Sequence, residues 1–467
     1  MSHGLTRREL GKVAIAGAAL AGIGGAGALA GCGSDKAGSH GRRENVIGQL
    51  PELGVPKPVD YIRTRWAQDP LALCSYSYLA PTRFGSEIRS MLAEPVGRIA
   101  FAGEATARIP ATVHGAVQAG QSAARLTIGQ LSKGARVAVV GAGAAGLSCA
   151  GELKRLGFEP VLLEASDRVG GRVRSGDLDG TPVELGASWI HGTRGNPLTS
   201  LAREAGVGLH PYDYDLAFPV PGQAALGRAG ERRYWRSINS FEPKAPGARL
   251  RTIDWLLPWR WGPGLDWAVE VETAQEYGAD PDQLAALATW EGDWFGGGDA
   301  LLDAPYVKVI EGLSRDAETL FGFDVERISR NSKGVEISAG TGEEISAEAA
   351  VITVPIGVLK AGRIAFDPPL PARTRTAIEG LGAGLLDKLW LAFDEAFWDE
   401  ETEGFQWINP RRPGRWGFWV NALPETGKPM LMTLAGGSDA HLLEGQSDLE
   451  VVSGAMKALE AMFGRAI

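Results

Sequence analysis

Three glycines and a carboxylate, in fixed order after an apolar run, put a phosphate-binding chemistry in the middle of this chain. In residues 136–172, RVAVVGAGAAGLSCAGELKRLGFEPVLLEASDRVGGR, the residues Gly141, Gly143 and Gly146 form G-x-G-x-x-G. Glu164 follows Gly141 by 23 residues and closes a second apolar run. Glycines at this spacing let the backbone turn tightly and approach a pyrophosphate, whose charge the free N–H groups of a helix start would satisfy. The carboxylate would accept from the ribose hydroxyls. A glycine triplet by itself also suits a turn packed closely for steric reasons. The acid in register favours dinucleotide binding.

The elements that must hold these residues are legible on either side. Val137 to Val140 is a continuous β-branched and apolar run, the pattern of a strand buried on both faces. A helical pattern follows through Leu156, then the run Pro160 to Leu163, so the stretch reads as a βαβ unit. Upstream, Arg98 to Phe101 predicts a short buried strand and Gly103-Glu104 a turn with an acid at its tip. Thr112 to Ala124 predicts a helix with a Gly/Ala-rich face, whose start could approach a ligand closely.

The bulk numbers fit this. A chain of 467 residues implies two or three sub-structures with sizeable cores. A net charge of −9 argues against nucleic acid as a partner and is compatible with cationic substrates. Three cysteines cannot make a disulfide framework, and no CxxC or His cluster suggests a metal.

Beyond these patterns, several motifs resemble one family. FAGE, PATVHGA and the run TRWAQDPLALCSYSY look like the carboxyl-terminal flavin segment of the flavin-containing amine oxidases, the family of monoamine oxidases, polyamine oxidases and flavin-dependent histone lysine demethylases. In that family this segment closes the chain and the G-x-G-x-x-G unit opens it. Here the order is reversed, and the final ALEAMFGRAI resembles what normally runs into the segment beginning near Pro58. The expected fold is therefore α/β (an α+β two-domain chain), a Rossmann-like FAD-binding domain with a β-meander plus a mixed-sheet and helical substrate domain, circularly permuted. The expected division is FAD-binding domain 58–196, substrate domain 197–296, FAD-binding domain 297–366, and 367–467 as the second part of the substrate domain with the return to the FAD domain.

The resemblance implies site residues. Gly141, Gly143, Ala145, Gly146, Glu164, Ala165, Gly171, Arg172, Gly186, Ala187, Val325, Gly103, Glu104, Thr112 and Val113 would hold FAD, with Arg172 pairing with the pyrophosphate and Val325 presenting its backbone to the adenine. TPVELGASWIHG resembles the polyamine-oxidase branch most closely, which puts Trp189 and His191 towards the substrate. His191 is equally readable as a hydrogen-bonded structural imidazole. Lys388, just ahead of the apolar run LWLAFDEAFW, stands where the family has a lysine beside the flavin that holds a water. Burial against that run would depress its pKa.

Departures from the family pattern are also visible. The run Arg108-Ile109-Pro110 is about one residue short where many members carry a cage aromatic, and Cys74 replaces a usual Gly. Trp66, Tyr76 and Tyr78 are the candidates for other substrate walls. Residues 197–296 hold Trp235, Trp255, Trp259, Trp261, Trp267, Trp290 and Trp294, readable as an amine tunnel or as ordinary packing, with helical patterns near 269–276 and 281–291. No Cys or His has an evident attachment role, so non-covalent FAD is expected.

The first 32 residues carry an address. Thr6-Arg7-Arg8 precedes an Ala/Gly-rich run from Val13 to Gly31, the pattern of a twin-arginine export signal, with an ordinary membrane anchor as the alternative. Leu29-Ala30-Gly31-Cys32 resembles a lipobox, so Cys32 would be lipidated, and 33–57 reads as a flexible tether. The expectation is a bacterial lipoprotein on the extracytoplasmic face of the cell membrane, exported by the twin-arginine machinery and touching the membrane only through its lipid. Its expected reaction is oxidation of a primary or secondary amine, with hydride transfer to flavin N5, imine hydrolysis and reduction of molecular oxygen to hydrogen peroxide. An amino-acid oxidase on the same fold, and a flavin-binding or electron-transfer lipoprotein without oxidase activity, are the alternatives.

Overall fold

The structure, a computed structural model, describes residues 36–214, 217–219, 222–240, 245–250, 262–292 and 294–464. The export signal, Cys32, Trp255, Trp259 and Trp261 lie outside the described residues.

A five-stranded parallel sheet organises the dinucleotide half. Its strands are β1 (Ile99–Phe101), β2 (Arg136–Val140), β3 (Glu159–Glu164), β4 (Glu318–Phe321) and β5 (Ala349–Ile352), in the spatial order β4-β3-β2-β5-β1. The residues of β2 alternate: Val137 and Val139 pack with the helical layer, Ala138 and Val140 with the other face. Both faces are thus apolar, which is why the sequence reads as an unbroken apolar run. The strand β1, far upstream of the glycine motif, and β2 both pair with β5, so the segment around Phe101 belongs to the same sheet.

Helices along the chain include α1 (Lys36–Gly48), α2 (Val113–Thr127) and α3 (Ala144–Arg155). The pair α2 and α3 can pack closely because Gly120 carries no side chain; a Cβ there would stand 2.1 Å from the Ala145 carbonyl oxygen. An antiparallel meander, Val325–Arg330, Val335–Ala339 and Glu344–Ala347, lies against the opposite face and supplies the β-meander that the family resemblance implies.

A six-stranded sheet forms the second half, with the strand Leu386–Ala392 between Asp60–Arg63 and Met430–Gly436. The helix Asp448–Phe463 buries Val451, Val452, Ala455, Met456 and Leu459 in the core shared with Leu389, Leu391 and Trp419.

Two expectations need correction. The stretch read as a flexible tether contains α1, whose Val46 and Ile47 pack on that core while Arg43 pairs with the buried Asp60 at 2.9 Å. The second helical pattern, 281–291, yields only the 3₁₀ turn Ala286–Trp290. Its backbone is drawn into tertiary hydrogen bonds instead: Ala285 N–H donates to Leu79 O, Leu250 N–H to Leu284 O, and Ala286 N–H to Ala248 O. The first pattern is helical, with a π turn at Glu270–Ala274.

Candidate active site

A cavity of about 890 Å³ runs from the carboxyl ends of β2, β3 and β5 to the strand Leu386–Ala392. In open parallel sheets this edge is where ligands bind.

The sheet end of the cavity is a cradle. Gly141 adopts φ +99°, and a Cβ on it would meet Thr353 Oγ1 at 2.8 Å. Behind it, a Cβ on Gly146 would stand 1.9 Å from the Gly141 carbonyl oxygen, so this approach of helix to turn needs glycine. The starts of α2 and α3 both face the cavity, lined by Thr112, Val113, Gly143, Ala144 and Ala145. Thr112 Oγ1 accepts from Gly115 N–H at 3.0 Å, whereas no side chain among the described residues caps α3. An uncapped helix start offers N–H donors and positive potential to an anion.

The acids flank these donors. Glu164 is anchored by Ala142 N–H at 2.7 Å on one oxygen and by Ser166 N–H and Oγ–H at 2.9 and 2.7 Å on the other. Much of the accepting capacity expected to serve a ribose is thus spent on its own loop. Arg172 donates from Nη1 to Glu104 at 3.0 Å and to Ser75 O at 2.9 Å. Burial acts to raise the Glu104 pKa, but Arg172, Ser77 and Arg89 outweigh it and hold the carboxyl below its usual range. Val325 lies at a β-bulge on the same wall. Of the cofactor residues expected from the sequence, Gly146 alone does not line the cavity; it supports the turn from behind. The donors, the acids and the close backbone approach fit a dinucleotide such as FAD.

Lys388 stands at the other end. Its backbone is pinned by Thr64, whose Oγ1 accepts from Lys388 N–H at 2.8 Å and whose N–H donates to Lys388 O at 3.0 Å. Its Nζ donates to Gly186 O and Ser188 Oγ, each at 2.5 Å, and to Glu184 O at 3.2 Å. Nζ also lies 5.6 Å from the centre of the Trp189 ring. Burial lowers the Lys388 pKa to about 7, against the opposing pull of the Glu184 carboxylate. Glu184 is itself raised by burial, although Tyr306 N–H and Ser175 Oγ–H both donate to it at 2.8 Å.

The cavity wall is rich in aromatic side chains. Trp66, Tyr76, Tyr78, Trp189, His191, Tyr214, Trp235, Trp290 and Trp294 all line the cavity. Tyr76 OH donates to the carbonyls of Gln275 and Glu276, and Trp66 carries the Arg174 guanidinium 4.5 Å from its ring centre. His191 Nδ1 lies 2.7 Å from Asp299, the partner a structural imidazole needs, and the residue also lines the cavity. Trp267 is core: it is fully buried and donates to Gly417 O. Sequence reading missed Glu184, Ser188, Arg89, Arg168 and Glu291, all of them on the cavity or one bond from it. Only Glu184 and Ser188 had a signal, since they sit inside the TPVELGASWIHG motif.

The fold and the site are those of a flavoenzyme: the family model "Flavin containing amine oxidoreductase" matches residues 34–128, 144–284 and 274–467, and the chain belongs to that family. Among its relatives is polyamine oxidase 4 of Oryza sativa subsp. japonica, 31% identical over 367 residues, covering 70% of this chain and 72% of the relative. A probable polyamine oxidase 4 of Arabidopsis thaliana is 32% identical over 356 residues, covering 70% and 71%. A lysine-specific histone demethylase 1 homolog 3 of Oryza sativa subsp. indica is 29% identical over 353 residues, covering 70% of this chain and 44% of the relative. The fold is similar to that of a putrescine oxidase solved with putrescine bound, at TM-score 0.51 and 20% identity, covering 70% of this chain and 81% of that one.

Proposed function

We propose that the protein oxidises amines of the polyamine or diamine class, with FAD held non-covalently in the cavity described above. The observation that carries this reading is the continuity of one cavity, from the two helix starts to Lys388 beneath Trp189. When bound, the flavin supplies a two-electron acceptor for the amine and a route for those electrons to oxygen. Gly141, Gly143, Thr112, Glu104 and Arg172 would hold it.

The chain's own groups suit a cationic, extended substrate. Glu272 and Glu276 stand on the cavity wall among Tyr234, Trp235 and Trp290, a combination that attracts ammonium groups by charge and by ring faces. An amine is oxidised through its neutral form, so a permanent cation at the reacting end would oppose it. Lys388, lowered to about 7, is largely neutral in mildly alkaline solution, where its two N–H groups serve the Gly186 and Glu184 carbonyls and its lone pair accepts from the Ser188 hydroxyl, so it adds no charge beside the reacting amine.

We also infer that the chain is a circular permutation of the family fold. The reading is supported by the upstream strand β1 sharing its sheet with β2, and by contact between the helix Asp448–Phe463 and the segment near Gly54. The export and lipidation reading rests on Arg7-Arg8 and on Cys32 in the sequence. No helix among the described residues is long and apolar enough to cross a membrane.

Peroxide release by purified protein, assayed with polyamines, monoamines and amino acids, tests the proposal. Preference for amino acids would favour the amino-acid oxidase alternative, and flavin binding without turnover of any donor would favour the electron-transfer one. Replacing Cys32 should free the protein from membranes, and unchanged membrane association would overturn the anchor.

A further inference from the structure

A buried relay joins the substrate wall to the cofactor cradle. Glu291 follows the turn Ala286–Trp290 and lines the cavity between Trp290 and Gly292. Arg89, on the helix Glu87–Ala93, grips it with both ends of its fork, Nε to Oε1 at 2.8 Å and Nη2 to Oε2 at 3.0 Å. The Arg89 and Glu291 side chains are 6% and 8% exposed, so neither charge is screened by bulk water. The remaining Arg89 nitrogen, Nη1, donates to Ser77 Oγ at 2.8 Å and to Ala105 O at 3.1 Å. Ser77 in turn donates from Oγ to Glu104 Oε2 at 2.6 Å and from its backbone to both Glu104 oxygens. Glu104 then pairs with Arg172 and accepts from Ala111 N–H, at the turn that starts α2.

The same wall touches the cradle a second time. Gly292 rests on the turn before α2, where a Cβ would stand 3.3 Å from Ile109 Cγ2 and 3.5 Å from Ile109 Cα. The Phe295 ring meets the His114 ring edge to face at 5.2 Å. The wall segment is therefore tied both to the cradle's carboxylate and to its helix start.

We propose that Glu291 is a positioning residue for the cofactor: through Arg89 and Ser77 it fixes the orientation of Glu104, so cofactor affinity depends on a residue of the substrate wall. Hydrogen-bond order makes this directional. Arg89 can only donate, so its hold on Ser77 Oγ forces the hydroxyl proton towards Glu104. Bidentate pairing with Glu291 fixes the plane of the guanidinium and hence the position of Nη1. Without that anchor the Arg89 fork is free to turn towards Glu104 itself, and the serine loses its assigned direction. The inference rests on the reading of the cavity as an FAD site.

The test is a titration of apoprotein with FAD, followed by flavin fluorescence, on the unaltered chain and on Glu291→Gln, Ser77→Ala and the double variant. Glu291→Gln keeps size and shape while removing the charge, and a folded state is checked by circular dichroism. The relay predicts about tenfold weaker FAD binding for Glu291→Gln. It also predicts that the double variant is no weaker than Ser77→Ala alone, since both changes cut one path. Unchanged affinity in Glu291→Gln, or effects of the two substitutions that add, would overturn the relay. If Glu291→Gln does not fold, Arg89→Lys gives the same reading, because it keeps the charge and loses the fork. Failure of the unaltered protein to bind FAD would overturn the cofactor reading, and the relay with it.

Discussion

The backbone amide of Gly54 donates to the Glu460 carboxylate at 2.9 Å, although 406 positions separate them in the chain. A Cβ on Gly54 would lie 3.3 Å from the Gly464 carbonyl oxygen, so the segment entering the fold near residue 54 starts beside the end of the helix Asp448–Phe463. On the proposed permutation, this is the joint where a chain in the usual family order would run straight on. Linking the two points through a few residues and opening the chain between Ser132 and Lys133 should therefore give the same fold. The relinked protein is expected to bind as much flavin as the original and to melt within a few degrees of it. A relinked chain that does not fold would contradict the permutation.

Lys388 sets a dependence on pH. Its pKa is lowered to about 7 by burial, against an ordinary value of about 10.4 in the unfolded chain. Between those values only the unfolded state holds the proton, so stability rises with pH across this window, by at most about 1.4 kcal/mol per unit. Lys388→Met should lose that slope, which urea unfolding at several pH values will show. In turnover, kcat/KM should climb as pH rises through about 7, and Lys388→Met should flatten that limb and lower kcat by about a hundredfold.

Gly146 tests the cradle from behind. Gly146→Val puts side-chain carbon where the Gly141 carbonyl oxygen stands 1.9 Å from the would-be Cβ. Overpacking of this kind costs about 1–3 kcal/mol, and here it displaces the turn that must meet the phosphates. The variant should purify with little or no visible flavin absorbance and a lowered Tm. Full flavin content would mean that the turn does not bind it.

How much of this was readable from residues alone follows from the range of the interactions. The βαβ unit was legible because its glycines, apolar runs and acid lie within one short stretch whose spacing is set by local geometry. Lys388 was legible because its motif is contiguous, and the fall in its pKa followed from the apolar run beside it. The relay through Arg89 was not, because its links are set by tertiary pairing: Arg89 and Glu291 are 202 positions apart and Lys388 and Gly186 also 202. The stretch 281–291 failed for a similar reason, since its helical periodicity lost to backbone bonds with Leu79 and Ala248. The region read as a tether was polar enough to mislead, yet Val46, Ile47 and Arg43 suffice to dock α1.

Trp235 separates substrate binding from cofactor binding. It lines the cavity on the helix Ala224–Ser240. Trp235→Ala should raise KM for a diamine by about tenfold, in keeping with the loss of a desolvated cation–π contact, while flavin content stays unchanged. Equal KM values in the two proteins would remove Trp235 from the substrate wall.

The most direct measurement is peroxide release by the purified, flavin-loaded protein offered a panel of polyamines, diamines, monoamines and amino acids. Polyamines or diamines should give stoichiometric peroxide and aldehyde, with much slower turnover of amino acids. A correctly folded preparation that binds FAD and turns over no amine would contradict an amine-oxidase role.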